Sequence, residues 1–243
     1  DVDAYMEIAS IYEEKNRYDK AIEYYREALK LRPERAEIYK EIGDVYKEEG
    51  KYKEAEEYYK EALKRNDRLV DVYMSLGDIN RLSGREDKAI NYYQKAIELS
   101  PKKIEAYMNI GGIYNSRGRY DEALENYQQA LKIASDRADI YQAMGDAYNS
   151  KGEYENAEEY YKEALKRNNK LVDVYMSLGD IDKKLGRGKE AIANYTKVIE
   201  LRPEKIDAYM NIGHIYKGNG QNEKASVYFQ KVIEINPNYV EAY

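Results

Sequence analysis

Residues 36–69 read Ala36-Glu-Ile-Tyr39-Lys-Glu-Ile42-Gly43-Asp-Val-Tyr46-Lys-Glu-Glu-Gly50-Lys-Tyr-Lys-Glu-Ala55-Glu-Glu-Tyr58-Tyr59-Lys-Glu-Ala62-Leu63-Lys-Arg-Asn-Asp-Arg-Leu69. Tyr39, Ile42 and Tyr46 recur at i, i+3 and i+7, which marks one face of a helix, and Ala55, Tyr58, Tyr59, Ala62 and Leu63 mark one face of a second. Gly50 separates the two. A residue just past a helix end that must turn left-handed is best supplied by Gly, then by Asn. The small residues Gly43 and Ala55 predict that two helix backbones pack closely. The stretch therefore predicts helix, tight turn, helix.

The same pattern recurs along the whole chain at an offset of 34 residues without insertion. Tyr5, Tyr39, Tyr73, Tyr107, Tyr141, Tyr175, Tyr209 and Tyr243 are each that far apart. With each such Tyr as position 4 of a unit, seven repeats cover 2–35, 36–69, 70–103, 104–137, 138–171, 172–205 and 206–239, and 240–243 open an eighth. Position 15 is Asn16 and then always Gly. Position 8 is Ala9 and then always Gly, and position 20 is always Ala. All four prolines (Pro33, Pro101, Pro203, Pro237) fall at position 32, where a second helix must stop.

These residues resemble the tetratricopeptide repeat family, whose W-x2-L-G-x2-Y, A-x3-F and P pattern is matched with Tyr for Trp and Tyr for Phe. The resemblance covers essentially all of residues 1–243 as one array. It implies an all-α, right-handed superhelical solenoid of helix-turn-helix repeats that acts as a non-catalytic protein-binding scaffold. Repeats three and six depart locally. Asn80 and Asp182 replace the position-11 Tyr, Glu86 and Gly188 stand at position 17, and looser packing is expected there. A second period of three repeats overlies the first: Ala55–Ile79 and Ala157–Ile181 agree at 23 of 25 positions. Recent duplication or deliberate design explains this equally well.

Composition narrows the chemistry. The chain has 243 residues, 43% of them hydrophobic, so it has apolar material for a core although its mean hydropathy is -0.91. No apolar run exceeds three residues, which predicts no membrane insertion and favours a soluble compartment such as the cytoplasm. There is no Cys and one His, so thiolate and multi-histidine metal sites are excluded. No nucleophile with a neighbouring base, phosphate loop or complete calcium loop can be assembled, and no cofactor is expected. The net charge of -6 argues against nucleic acid as partner, and the 29 tyrosines read as repeat packing rather than base-stacking platforms.

In the family the first helix of each repeat lines a concave groove, through positions 2, 5, 6, 9, 12 and 13. Carried over, position 5 places Met6, Met74, Met108, Met176 and Met210 in one stripe with Gln142. Position 9 contributes Asp44, Asp78, Asp146, Asp180 and His214, and position 6 contributes Asn109 and Asn211. Thioethers adapt to irregular apolar partners, and amides bind a peptide backbone as donor and acceptor. Over these positions acids outnumber bases 17 to 6. The expected partner is therefore a protein or peptide segment carrying Lys or Arg. Position 2 opens a helix, where Asp or Glu is favoured in any case, so the position-9 aspartates carry most of that expectation. The family's members that clamp a C-terminal carboxylate use Lys at position 5 and Asn at position 9 of one repeat, Asn at position 6 of the next, and Lys and Arg at positions 2 and 6 of the third. Here Lys40 is the only position-5 Lys, its repeat has Asp44 at position 9, and Asp or Glu fills position 2 throughout, so that ligand class is not expected. Ends without a polar capping unit suggest an alternative, a self-assembling array, natural or designed, that stacks head to tail.

Overall fold

The computed structural model describes residues 1–237, so 240–243, read as the opening of an eighth unit, lie outside the described residues. Fourteen α-helices follow one another in pairs, and there is no strand among the described residues. The pairs are α1 (Val2–Glu14) with α2 (Tyr18–Leu31), α3 (Ala36–Glu48) with α4 (Tyr52–Arg65), and α5 (Val70–Leu82) with α6 (Glu86–Leu99). Next come α7 (Ile104–Ser116), α8 (Tyr120–Ile133), α9 (Ala138–Lys151) with α10 (Tyr154–Arg167), α11 (Val172–Lys184) with α12 (Gly188–Leu201), and α13 (Ile206–Gly218) with α14 (Asn222–Ile235). Every first helix starts where the 34-residue frame starts a unit.

The turn inside each unit follows from position 15. Gly50 has φ +80°. Its N–H donates to the Lys47 carbonyl at 3.0 Å, and the Lys51 N–H donates to the Tyr46 carbonyl at 2.8 Å. This crossed pair satisfies carbonyls that the end of α3 leaves open. Between units, Pro stops the second helix in four places. Two units without Pro use an Asn turn instead: Asn66 Oδ1 accepts from the Arg68 N–H and Asn168 Oδ1 from the Lys170 N–H, both at 3.0 Å.

The core is a series of layers, each built by both helices of one unit and the first helix of the next. Ala9, Ala21, Tyr25 and Ala28 meet Ile38, Ile42 and Val45. Tyr59, Ala55 and Ala62 meet Val72, Leu76 and Ile79. The layers around Tyr161 and Tyr195 repeat that arrangement. Position 8 must be small because the position-24 ring lies on the first helix. A Cβ at Gly77 would sit 2.4 Å from the Tyr93 ring, and one at Gly179 would sit 2.6 Å from the Tyr195 ring.

In repeats three and six, where looser packing is expected, polar groups occupy the place of the missing ring, and Asn80 Oδ1, Arg85 Nε and Arg187 Nε are buried there without a hydrogen bond. In repeats one, two and four the position-16 cation lies over the position-11 Tyr, as Arg17 does over Tyr12 at 5.1 Å and Arg119 over Tyr114 at 4.5 Å. Where that Tyr is missing, the arginine turns back to the preceding unit. Arg85 reaches Glu56 at 2.8 Å, and Arg187 pairs with Glu158 and lies 3.0 Å from Asp182. Asn80 is fully buried and donates to the Leu76 carbonyl at 2.7 Å. Asp182 accepts from Asn194 at 2.9 Å, and burial raises its carboxyl against the lowering influence of Arg187. A polar network thus takes the place of the ring.

The described residues form two compact units, 1–113 and 114 onward. Within each, consecutive repeats stack in the same way. No helix among the described residues is long and apolar enough to cross a membrane.

Candidate binding surface on the first helices

The position-9 aspartates are built into the repeat. Each accepts the hydroxyl of the position-24 tyrosine of its own unit: Tyr59 to Asp44 at 2.5 Å, Tyr93 to Asp78 at 2.7 Å, Tyr161 to Asp146 at 2.7 Å, and Tyr195 to Asp180 at 2.6 Å. These rings are fully buried, so each hydroxyl needs an acceptor and the carboxylate supplies a charge-assisted one. Burial and the adjoining carboxylate push the Tyr59 and Tyr161 hydroxyls well above the usual phenol range. Burial also raises the Asp146 carboxyl, and the Tyr161 bond opposes that rise. The Tyr bonds all use Oδ1. Asp44 spends Oδ2 on Lys40 of its own helix at 2.7 Å, whereas Asp78, Asp146 and Asp180 keep Oδ2 without a partner among the described residues. Burial lowers the Lys40 ammonium, but Asp44 and Glu41 outweigh it and leave it raised.

The methionine stripe is more interior than the carried-over groove implies. Met74 and Met210 are buried. Met6 packs on the first core layer, and Met176 packs on the layer around Tyr195. Met108 and Gln142 are half-buried. The two asparagines knit neighbouring repeats together: Asn109 donates to Asp78 at 3.4 Å, and Asn211 accepts from Lys183 at 2.8 Å. His214 is exposed and lies with its ring 5.5 Å from that of Phe229.

Sequence reasoning missed the tyrosine hydroxyls. The signal was present in the seventh unit, where position 24 is Phe229, the chain's only Phe, and position 9 is His214 instead of Asp. Without a hydroxyl there is no demand for an acceptor. The first unit solves the problem differently. Position 9 is Ser10, and the Tyr25 hydroxyl donates to Glu13, one turn further on, at 3.0 Å. Burial raises the Glu13 carboxyl, Tyr25 lowers it, and the charges of Glu48, Glu41 and Asp44 raise it again.

Charge on this face is also less uniform than the chain total suggests. At positions 5, 6, 9, 12 and 13, α1, α3 and α5 carry Glu7, Glu13, Glu14, Glu41, Asp44, Glu48 and Asp78 against Lys40, Lys47 and Arg81. On α9, α11 and α13 the same positions carry Asp146 and Asp180 against Lys183, Lys184 and Lys217. The acidic excess therefore belongs to residues 1–113. No group of three or more His, Asp or Glu among the described residues is placed to hold a metal ion.

Models of the tetratricopeptide repeat family match residues 2–68, 35–102, 103–170, 179–220 and 206–239. The chain belongs to the tetratricopeptide repeat family, an all-α scaffold fold for protein–protein interaction. No curated protein sequence matches it. Among solved structures it is similar to the C-terminal part of a TPR repeat-containing protein from Cytophaga hutchinsonii, with TM-score 0.84 at 20% identity over 98% of this chain and 97% of that one. It is also similar to the MamA protein, with TM-score 0.64 and 29% identity over 71% of this chain and 94% of that one. A third similar structure is YrrB, described as a TPR protein with an unusual peptide-binding site, with TM-score 0.61 and 24% identity over 76% of this chain and 95% of that one.

Proposed function

We propose that this chain is a non-catalytic scaffold whose first helices receive a peptide or protein segment bearing Lys or Arg. One observation carries the reading: Asp78, Asp146 and Asp180 are each held through Oδ1 by a buried tyrosine, with Oδ2 left without a partner among the described residues. A carboxylate fixed in this way loses little further side-chain freedom when a cation docks on it. The carboxylates that crowd Glu13 add a second attraction in the first unit, since a cation there relieves repulsion among them. The peptide-binding description of YrrB supports the same class of ligand. Binding of a fluorescein-labelled Lys/Ala peptide, followed by anisotropy, is expected to weaken steadily as salt is raised from about 0.05 to 0.5 M. Salt-independent binding, or equal binding of a Glu/Ala peptide to α1, α3 and α5, contradicts the charge selection.

A second reading, self-association, draws on α1. Ile8 is 38% and Ile11 49% exposed, although positions 7 and 10 are buried in units two to six, from Ile42 and Val45 to Leu178 and Ile181. On this reading the mass measured by light scattering rises with concentration, and Ile8→Lys with Ile11→Lys returns it to 28.5 kDa. A mass fixed at that value in the unaltered chain removes the reading.

A further inference from the structure

The junction of the sixth and seventh repeats carries a feature the acidic aspartates do not explain. An open pocket of about 420 Å³ lies between α11, the start of α12, and α13, lined by Lys183, Gly188, Lys189, His214, Ile215 and Asn219, among others. Two sequence departures make it. Position 17 opens the second helix with Tyr in four units (Tyr18, Tyr52, Tyr120 and Tyr154) but is Gly188 here, and the Ile215 side chain stands 3.3 Å from where a Cβ would be. Position 9, an aspartate in four units, is His214, so a carboxylate is also missing from the wall.

Several exposed lysines are paired three or four residues away, as in Lys64 with Glu61, Lys166 with Glu163 and Lys197 with Glu200. Lys189 has no ion-pair partner among the described residues, and Lys183 is bonded only to the neutral Asn211 amide. Of the neighbouring carboxylates, Arg187 draws Glu158, Asp182 and Glu190, while Asp180 accepts from Tyr195 and keeps its charge. Neither ammonium is ion-paired among the described residues, at a pocket that also offers an imidazole and an amide.

We infer that this pocket takes an anionic side chain of a bound peptide, a carboxylate or a phosphate, held by Lys183 and Lys189 with His214 and Asn219 as hydrogen-bonding groups. This deepens the peptide-binding reading without depending on its preference for basic segments, because it stands on different residues. Carboxylate and phosphate share the required chemistry, two or three anionic oxygens that accept from ammonium donors. The imidazole offers an N–H donor to such an oxygen.

Gly188→Tyr gives the sharpest test. It installs the residue that four other units already carry at this position. Ile215, 3.3 Å from the new Cβ, must shift as the pocket is filled, so a melting curve accompanies it, and Lys183→Gln/Lys189→Gln gives the same test without that shift. The full chain, labelled with ¹⁵N, is titrated with a Glu/Ala peptide and with the same peptide carrying one phosphoserine. The expected result is amide shifts centred on Gly188, Lys189 and His214, with affinity about five- to tenfold weaker in both Gly188→Tyr and Lys183→Gln/Lys189→Gln. Tighter binding of the phosphoserine peptide would identify phosphate as the group, and equal binding would identify carboxylate. Affinity for the Lys/Ala peptide should be unchanged in Gly188→Tyr, which separates this pocket from the basic-segment reading. Shifts spread over other lysines, or undiminished binding of the acidic peptides by Gly188→Tyr, overturn the inference.

Discussion

Tyr59→Ala is expected to destabilise the chain by about 3–5 kcal/mol, the range for removing a large buried aromatic side chain. Tyr59 is fully buried, its ring lies on the backbone of Gly43, and its hydroxyl donates to Asp44. Alanine leaves a cavity in the layer that joins the second and third repeats, and it also leaves Asp44 Oδ1 without its donor. Unfolding in urea, followed by circular dichroism, measures the loss. Because stacked repeats are stabilised by their neighbours, a separate early transition is an acceptable form of the same result. A loss below about 1 kcal/mol would contradict the structural role given to this ring.

The second large effect reverses an ordinary rule. Gly→Ala inside a helix normally adds about 1 kcal/mol of stability. Gly77→Ala is expected to cost about 1–3 kcal/mol instead, because the new methyl would stand 2.4 Å from the Tyr93 ring and force it to move. Moving the ring pulls its hydroxyl away from Asp78. The first unit shows how the chain accommodates a methyl there: position 8 is Ala9, and Tyr25 takes its hydroxyl to Glu13 rather than to position 9. Gly112→Ala is the control. Nothing lies within 4 Å of a Cβ at Gly112, so that variant should gain stability. Thermal melts of the two variants with opposite shifts would establish the close approach, and shifts of the same sign would not.

The fold was legible because its determinants are local and repeated. A Gly or Asn every 34 residues sets the turn, small residues at positions 8 and 20 set the helix contact, and spacing alone assigns the faces. What was hidden depends on which groups meet across elements. The aspartates of position 9 read as a free acidic surface, since nothing in a linear spacing of 15 residues shows that a buried hydroxyl is their partner. Only the Phe229 and His214 pair hinted at it. The methionines read as surface for a similar reason, because the burial of Met74 and Met210 comes from tertiary packing. In repeats three and six a missing Tyr suggested a defect. Arg85 and Arg187 were free to reach back 29 residues to Glu56 and Glu158, a compensation visible only once the helices are stacked.

The account centres on carboxylates that serve the fold with one oxygen and a partner with the other. Asn in place of Asp keeps an oxygen that can accept the tyrosine hydroxyl while removing the charge. The decisive measurement is therefore the affinity of a Lys/Ala peptide for the unaltered chain and for Asp78→Asn/Asp146→Asn/Asp180→Asn, with melting curves taken alongside. The prediction is a fold that melts at nearly the same temperature and an affinity lower by about tenfold, three partly exposed charge contacts of about 0.5 kcal/mol each. Equal affinity in the two proteins, with the fold intact, would show that these aspartates serve only the tyrosines and would contradict the proposed function.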